Sequence, residues 1–127
     1  IRARHHAGVN PQIDFMALSS YGDKTISSGN VVITRDIVDT VKGRKVLLID
    51  DILESGRTMA FATKELLSRG AETVKTCLML DKKGKRTSDF EADFVGFDCP
   101  DLFVVGYGLD FAHYYRELPY IGHIIKH

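Results

Sequence analysis

Net charge is the first thing this chain lacks. Its 127 residues carry 17 Lys+Arg against 17 Asp+Glu, so there is no overall basic field to draw it onto nucleic acid. No apolar run approaches the roughly 20 residues needed to cross a bilayer, and no signal-peptide pattern opens the chain. Cys77 and Cys99 are the only cysteines. They lie far apart without CxxC spacing, which favours buried free thiols over a disulfide or zinc site and fits a cytoplasmic protein. Repeats, low-complexity stretches and Pro/Gly-rich linkers are also absent. With 44% hydrophobic residues, residues 1–127 read as one globular domain.

What remains is a succession of short apolar runs. Ile13 to Ser20 and Val31 to Thr34 predict two strands, joined by the polar stretch "YGDKTISSGN". That connection is longer than a usual hairpin, and long loops in compact domains are often lids. Lys45 to Asp50 is an unbroken apolar run ending in acid, the pattern of a parallel strand covered on both faces. Met59, Phe61, Ala62, Leu66 and Leu67 then recur at helical spacing, with Gly70 as a stop. Val74 to Leu80, Phe94 to Phe97, Leu102 to Tyr107 and Ile121 to Ile125 predict further strands, and Phe111 to Arg116 a helical turn. Strand, helix, strand implies a right-handed crossover. The expected class is therefore α/β, with a mainly parallel central sheet flanked by helices.

The most informative stretch is "VLLIDDILESGRTM", Val46 to Met59. Two adjacent carboxylates repel one another and disfavour burial, so a pair ending a core strand calls for a ligand. Gly56 permits positive φ and close backbone approach. Ser55 and Thr58 bring hydroxyls, and the following helix start offers free N–H groups, together an anion cradle suited to phosphate. Neither GxxxxGK[ST] nor GxGxxG is present, which sets aside those two nucleotide loops. Asp50 and Asp51 precede the cradle, where carboxylates can accept from ribose hydroxyls or hold Mg²⁺ through water. Phosphate, ribose and metal together describe a phosphorylated ribose. The acidic pocket of a receiver domain is the bland alternative, and Ser-Gly before a helix is also a common cap.

This stretch resembles the phosphoribosyl-diphosphate motif of the type I phosphoribosyltransferases: four apolar residues, two acidic, two mostly apolar, then an acid-hydroxyl-Gly run and a Thr. "LSSYG", "LMLDKKGKR", "ADFVGFDCPDLFVVGYGLDF" and "YYRELPYIGHI" narrow the resemblance to the hypoxanthine-guanine branch of that family, from about Ile13 to the end. It implies the type I phosphoribosyltransferase fold, a mobile loop over the site and purine salvage in the cytoplasm. The reaction would make a purine nucleoside 5′-monophosphate and pyrophosphate from hypoxanthine or guanine and phosphoribosyl diphosphate, with Mg²⁺ as cofactor. Relatives are commonly dimers or tetramers, so a homo-oligomer is expected.

By position, the resemblance implies that Asp50 and Asp51 hold the ribose hydroxyls and organise magnesium. Glu54, Ser55, Gly56, Arg57 and Thr58 cradle the 5′-phosphate. Lys82 donates to the purine 6-oxygen, Phe103 stacks on the base and Val104 offers main-chain contacts. Asp110 and Arg116 stand at the magnesium–pyrophosphate end, Asp110 also near the purine. Ser20 and Tyr21 match the closing loop. Without the resemblance, Phe103 would read as core, Lys82 as a solvated basic turn, Asp110 as a cap and Arg116 as a surface ion pair. His5, His6 and His113 suggest neither ligands nor catalysts.

Two departures stand out. Glu54 occupies the position where the family usually has Asp. Its carboxylate can still take the purine proton, so it is the candidate catalytic residue. The family also has an N-terminal strand and a pyrophosphate loop ahead of its first helix, and residues 1–127 start too late to include them. "IRARHH" matches the end of that helix, and weak pyrophosphate binding is expected. A xanthine-preferring relative and a non-catalytic nucleotide-binding regulator are the competing readings. The Lys82–Arg86 cluster keeps an RNA-binding version of the latter alive.

Overall fold

The structure is a computed structural model describing residues 2–21 and 30–125. A short helix, α1 (Arg2–His6), and two antiparallel strands, β1 (Ala17–Tyr21) and β2 (Asn30–Arg35), come first. Then follow β3 (Lys45–Leu53), α2 (Arg57–Ser68), β4 (Thr73–Asp81) and β5 (Phe94–Asp98). The chain closes with β6 (Val104–Val105) and β7 (Gly122–His123). A strand–helix–strand crossover, β3–α2–β4, is present. β3, β4 and β5 form a parallel sheet in that order, while β1–β2 and β6–β7 are separate antiparallel pairs.

α2 forms because Met59, Ala62 and Leu66 share one face, all buried, three apolar positions spaced by one and two turns. Burying a side chain such as Met59 or Leu66 is worth about 1.5–3 kcal/mol, enough to hold a helix of this length to the sheet. Met59 packs with Leu53 and Leu78, and Leu48, Phe90 and Ala92 press against that cluster. The helix ends at Arg69, and Gly70 turns away at φ +90°, as its sequence position predicts. Leu67 shares the helical spacing but is 48% exposed.

Several expected boundaries shift. The first strand begins at Ala17, not Ile13. The Asp14 carboxylate there accepts the Val38 and Asp39 N–H groups at 2.7 and 3.2 Å, so residues 13–16 are held as an irregular segment. β3 is not covered on both faces: Ile49 is 71% exposed, since β3 is an edge of its sheet and α2 is the only long helix among the described residues. Residues 111–116 are a bridged turn, not a helical one. Ala112, His113 and Tyr115 have φ of 51°, 71° and 76°, outside the right-handed helical region. Leu102 and Phe103 precede the two-residue strand β6, which Gly106 ends at φ +93°.

No helix among the described residues is long and apolar enough to cross a membrane. Cys77 and Cys99 are free thiols, part-buried rather than fully buried.

Candidate active site

β3 runs past the acidic pair to Leu53, so Asp50 and Asp51 lie within the strand, just before its end. The Asp50 carboxylate accepts the Asp51 N–H at 2.9 Å, and Asp51 accepts that of Ile52 at 2.7 Å. Solvent reaches Asp50, yet enough protein surrounds its carboxyl for lost hydration to push its pKa above the ordinary 3.8. The neighbouring Asp51 charge pushes the same way, against the lowering effect of the backbone hydrogen bond. The pair offers hard oxygen donors, the ligand type Mg²⁺ takes when it keeps waters and substrate oxygens. Among the described residues no three His, Cys, Asp or Glu side chains converge on a point.

After Leu53 the chain turns sharply through Glu54, Ser55 and Gly56 into α2. Gly56 has φ +83°, and a Cβ there would lie 2.6 Å from Ser88 Oγ and 3.0 Å from Phe90 Cβ. Both the backbone angle and the space demand glycine. Ser55 Oγ accepts the Arg57 N–H at 3.2 Å. Thr58 and Met59 follow in the first helical turn, where N–H groups have no partner within the helix. Ser55, Gly56, Arg57 and Thr58 thus form a tight turn into a helix start, the geometry that the expected cradle needs.

Lys82 departs furthest from its bland reading. It is only 5% exposed, its N–H donates to Leu53 O at 2.9 Å, and its ammonium donates to Glu54 Oε1 at 2.8 Å. The two residues separated by 28 positions meet because β3 and β4 are adjacent and in register to Leu53 and Asp81. The other cations of the basic turn are paired as well: Lys83 with Asp98, Lys85 with Asp101 and Arg86 with Asp81.

Phe103 is 49% exposed, not core. It meets Phe111 edge-on, with centroids 5.4 Å apart. Val104 is half-buried in β6. Asp110 and Arg116 come together at 2.9 Å. Asp110 also accepts the His113 N–H at 2.8 Å, so the ion-pair reading holds, while Asp110 closes a bridged turn rather than capping a helix. Arg116 donates a second hydrogen bond to Gly108 O at 2.7 Å. The Phe103 segment touches the cradle side through Lys85–Asp101 and through Cys99, whose N–H donates to Asp81 O at 2.8 Å. Ser20 is exposed on β1 opposite Val31. The Tyr21 side chain and residues 22–29 of the expected closing loop lie outside the described residues.

Sequence reasoning gave no site role to Asp81 or Ser88 and took Arg86 only as part of a basic cluster. Asp81 is 2% exposed and paired with Arg86. Ser88 Oγ donates to Ser55 O at 2.9 Å. The available signal was an acid ending β4 beside a basic turn, which reads as solvated surface unless burial is known.

A parallel α/β sheet with an acidic pair, a glycine-pinned turn and a buried lysine near its strand ends narrows the class. The chain belongs to the phosphoribosyl transferase family: the family model "Phosphoribosyl transferase domain" matches residues 7–112. Among individual proteins it is similar to the hypoxanthine-guanine phosphoribosyltransferase of Bacillus subtilis, 49% identical over 117 residues, 92% of this chain and 65% of that protein. It is also similar to the solved hypoxanthine phosphoribosyltransferase of Staphylococcus aureus, with TM-score 0.83 and 46% identity over 88% of this chain and 61% of that one. A Trypanosoma cruzi hypoxanthine phosphoribosyltransferase solved as a ternary substrates complex gives TM-score 0.90 at 35% identity, over 98% of this chain and 66% of that one. The chain therefore spans about two-thirds or less of the relatives it matches.

Proposed function

We propose that this chain serves purine salvage as a hypoxanthine-guanine phosphoribosyltransferase. A 6-oxopurine displaces pyrophosphate from C1 of phosphoribosyl diphosphate, giving the nucleoside 5′-monophosphate. The observation that carries this reading is the Lys82–Glu54 pair, 2.8 Å apart beside the phosphate turn. A 6-oxopurine presents a carbonyl acceptor next to a ring N–H donor, and an ammonium next to a carboxylate complements both. The B. subtilis, S. aureus and T. cruzi relatives, named for hypoxanthine, support the same substrate class.

In this mechanism the N–H groups and hydroxyls of Ser55–Thr58 fix the 5′-phosphate, and Asp50 and Asp51 accept from the ribose hydroxyls. Lys82 donates to the purine 6-oxygen, and Glu54 takes the ring proton as the new bond to C1 forms. Phe103 stacks on the base and Val104 offers its main chain to the pyrimidine edge. Positive charge grows at C1 and negative charge on pyrophosphate, and the Arg116 guanidinium meets the latter. Mg²⁺, held by Asp50 and Asp51 and at the far end by Asp110, would neutralise the diphosphate oxygens when bound. Ser20 and Tyr21 belong to the closing loop, whose role would be to keep water from C1. The protein is read as a cytoplasmic homo-oligomer, a state supported by Phe94 and Phe97, 58% and 67% exposed on the edge strand β5. A carboxylate partner for every cation in the 82–86 turn weakens the RNA-binding reading.

Turnover with phosphoribosyl diphosphate, Mg²⁺ and each of hypoxanthine, guanine, xanthine and adenine tests the proposal. Hypoxanthine and guanine are the expected substrates. Adenine as the best substrate would contradict it, because Lys82 can only donate and a 6-amino group is a poor acceptor. Xanthine as the best would move the reading to a xanthine-preferring enzyme. Nucleotide binding without turnover would identify a non-catalytic regulator.

A further inference from the structure

The turn that holds Glu54 is braced from behind by residues 86–88. Arg86 Nη2 donates to Asp81 Oδ1 at 2.5 Å and its Nη1 to Glu54 O at 3.3 Å. Thr87 N–H and Ser88 Oγ both donate to Ser55 O, at 3.1 and 2.9 Å. Asp81 is 2% exposed and the Arg86 side chain 13%, so this is not a surface pair whose partners drift. Asp81 directly precedes Lys82, and Glu54 is the partner of the Lys82 ammonium. The guanidinium therefore ties the backbone of one member of the recognition pair to the residue beside the other.

We propose that Arg86 is a positioning residue, one that fixes the Glu54 turn against the end of β4 and so sets Glu54 and Lys82 at their mutual distance. The proposal rests on the purine-recognition reading of that pair for its kinetic consequence, but not for its geometry. Only a forked donor spans both acceptors. A lysine at position 86 offers one point charge and reaches Asp81 or Glu54 O, not both in the same geometry. Glu54 and Lys82 then lose their shared frame while the charge in the pocket is kept. A misplacement of about 1 Å at reacting groups can cost about a hundredfold in rate.

The direct test is site-resolved amine acetylation of the whole chain, read by mass spectrometry, in wild type and in R86K. Lys83 and Lys85, whose side chains are 67% and 52% exposed, act as internal controls. Lys82 is expected to be protected in wild type and to label several-fold faster in R86K, with the melting transition retained. Unchanged Lys82 protection in a folded R86K would overturn the proposal. The double variant D81N/R86Q replaces the charged pair by a neutral one and is expected to expose Lys82 in the same way. Unfolding of both variants would assign Arg86 to general stability and equally overturn it. In turnover, R86K is expected to lose roughly ten- to a hundredfold in kcat, and to have almost no further effect in an E54Q background. Additive losses would contradict action through Glu54. Wild-type protein without turnover on any purine would defeat the functional reading, while Lys82 labelling would still decide the role of Arg86.

Discussion

Around Glu54 and Lys82 side chains bond to distant parts of the chain; around Asp110 and Arg116 they bond to near neighbours, although the Phe103 carbonyl reaches Ile124. The Lys82–Glu54 and Ser88–Ser55 hydrogen bonds close sequence separations of 28 and 33 residues. Those of Arg116 with Gly108 and of His113 with Asp110 close 8 and 3. The first region buries Lys82, Asp81 and Arg86 against charged partners, whereas the second leaves Phe103, Tyr107, Tyr114 and Tyr115 largely open on a backbone with repeated positive φ. The lesson is a division of labour. Lys82 and Glu54 are held by sheet register and a buried brace, an arrangement suited to groups whose distances must be fixed because small errors there are costly. Asp110, Phe111 and Arg116 instead sit on short local turns.

Substitutions rank accordingly. Gly56→Ala should be the most damaging: positive φ and a Cβ 2.6 Å from Ser88 Oγ should cost at least about 2 kcal/mol in urea unfolding. Phosphate binding should fall with it. Lys82→Met should keep the fold and lower kcat/KM for hypoxanthine by roughly ten- to a hundredfold, the worth of a charged hydrogen bond. Steady-state kinetics read this directly. In the looser region Phe103→Leu should raise KM for the purine only about two- to tenfold, matching the stacking contribution of one ring. An effect as large as that of Lys82→Met would break the contrast.

Acid titration gives the smallest effect and separates two kinds of carboxylate. Asp93 is held below the ordinary 3.8, first by the Thr76 N–H and then by Lys75 and the Thr76 hydroxyl, against its own loss of hydration. A depressed carboxylate adds stability that is present above the unfolded value and lost as pH falls through the folded one. Asp93→Asn should therefore lessen the loss of stability below about pH 4. Asp50 has the opposite sign. Raised above 3.8 by lost hydration and by Asp51, it favours the protonated fold, so its ionisation costs stability as pH rises past that value. Asp50→Asn should raise unfolding stability slightly at neutral pH, by less than about 1 kcal/mol given solvent access, while reducing turnover.

Much of this was legible in the chain. The unbroken run into Asp50-Asp51 and the Glu54-to-Thr58 segment gave the strand, the turn and the helix start, since glycine, hydroxyls and helical periodicity act locally. Gly70 marked the helix end for the same reason. Lys82 could be named only through family resemblance: its burial depends on β3 and β4 meeting in register, which no local pattern encodes. Arg86 and Asp81 were missed because a buried ion pair and a solvated one look alike until the partners are in place. Residues 13–16 and 111–116 were misjudged where turn hydrogen bonds to Asp14 and Asp110 outweighed apolar or helical propensity.

The most direct measurement is a crystal structure of the chain with a 6-oxopurine nucleoside 5′-monophosphate and Mg²⁺. The phosphate is expected on the N–H groups and hydroxyls of Ser55–Thr58, with the 6-oxygen within hydrogen-bonding distance of Lys82 Nζ. A phosphate bound elsewhere, or a base turned away from Lys82 and Glu54, would contradict the account.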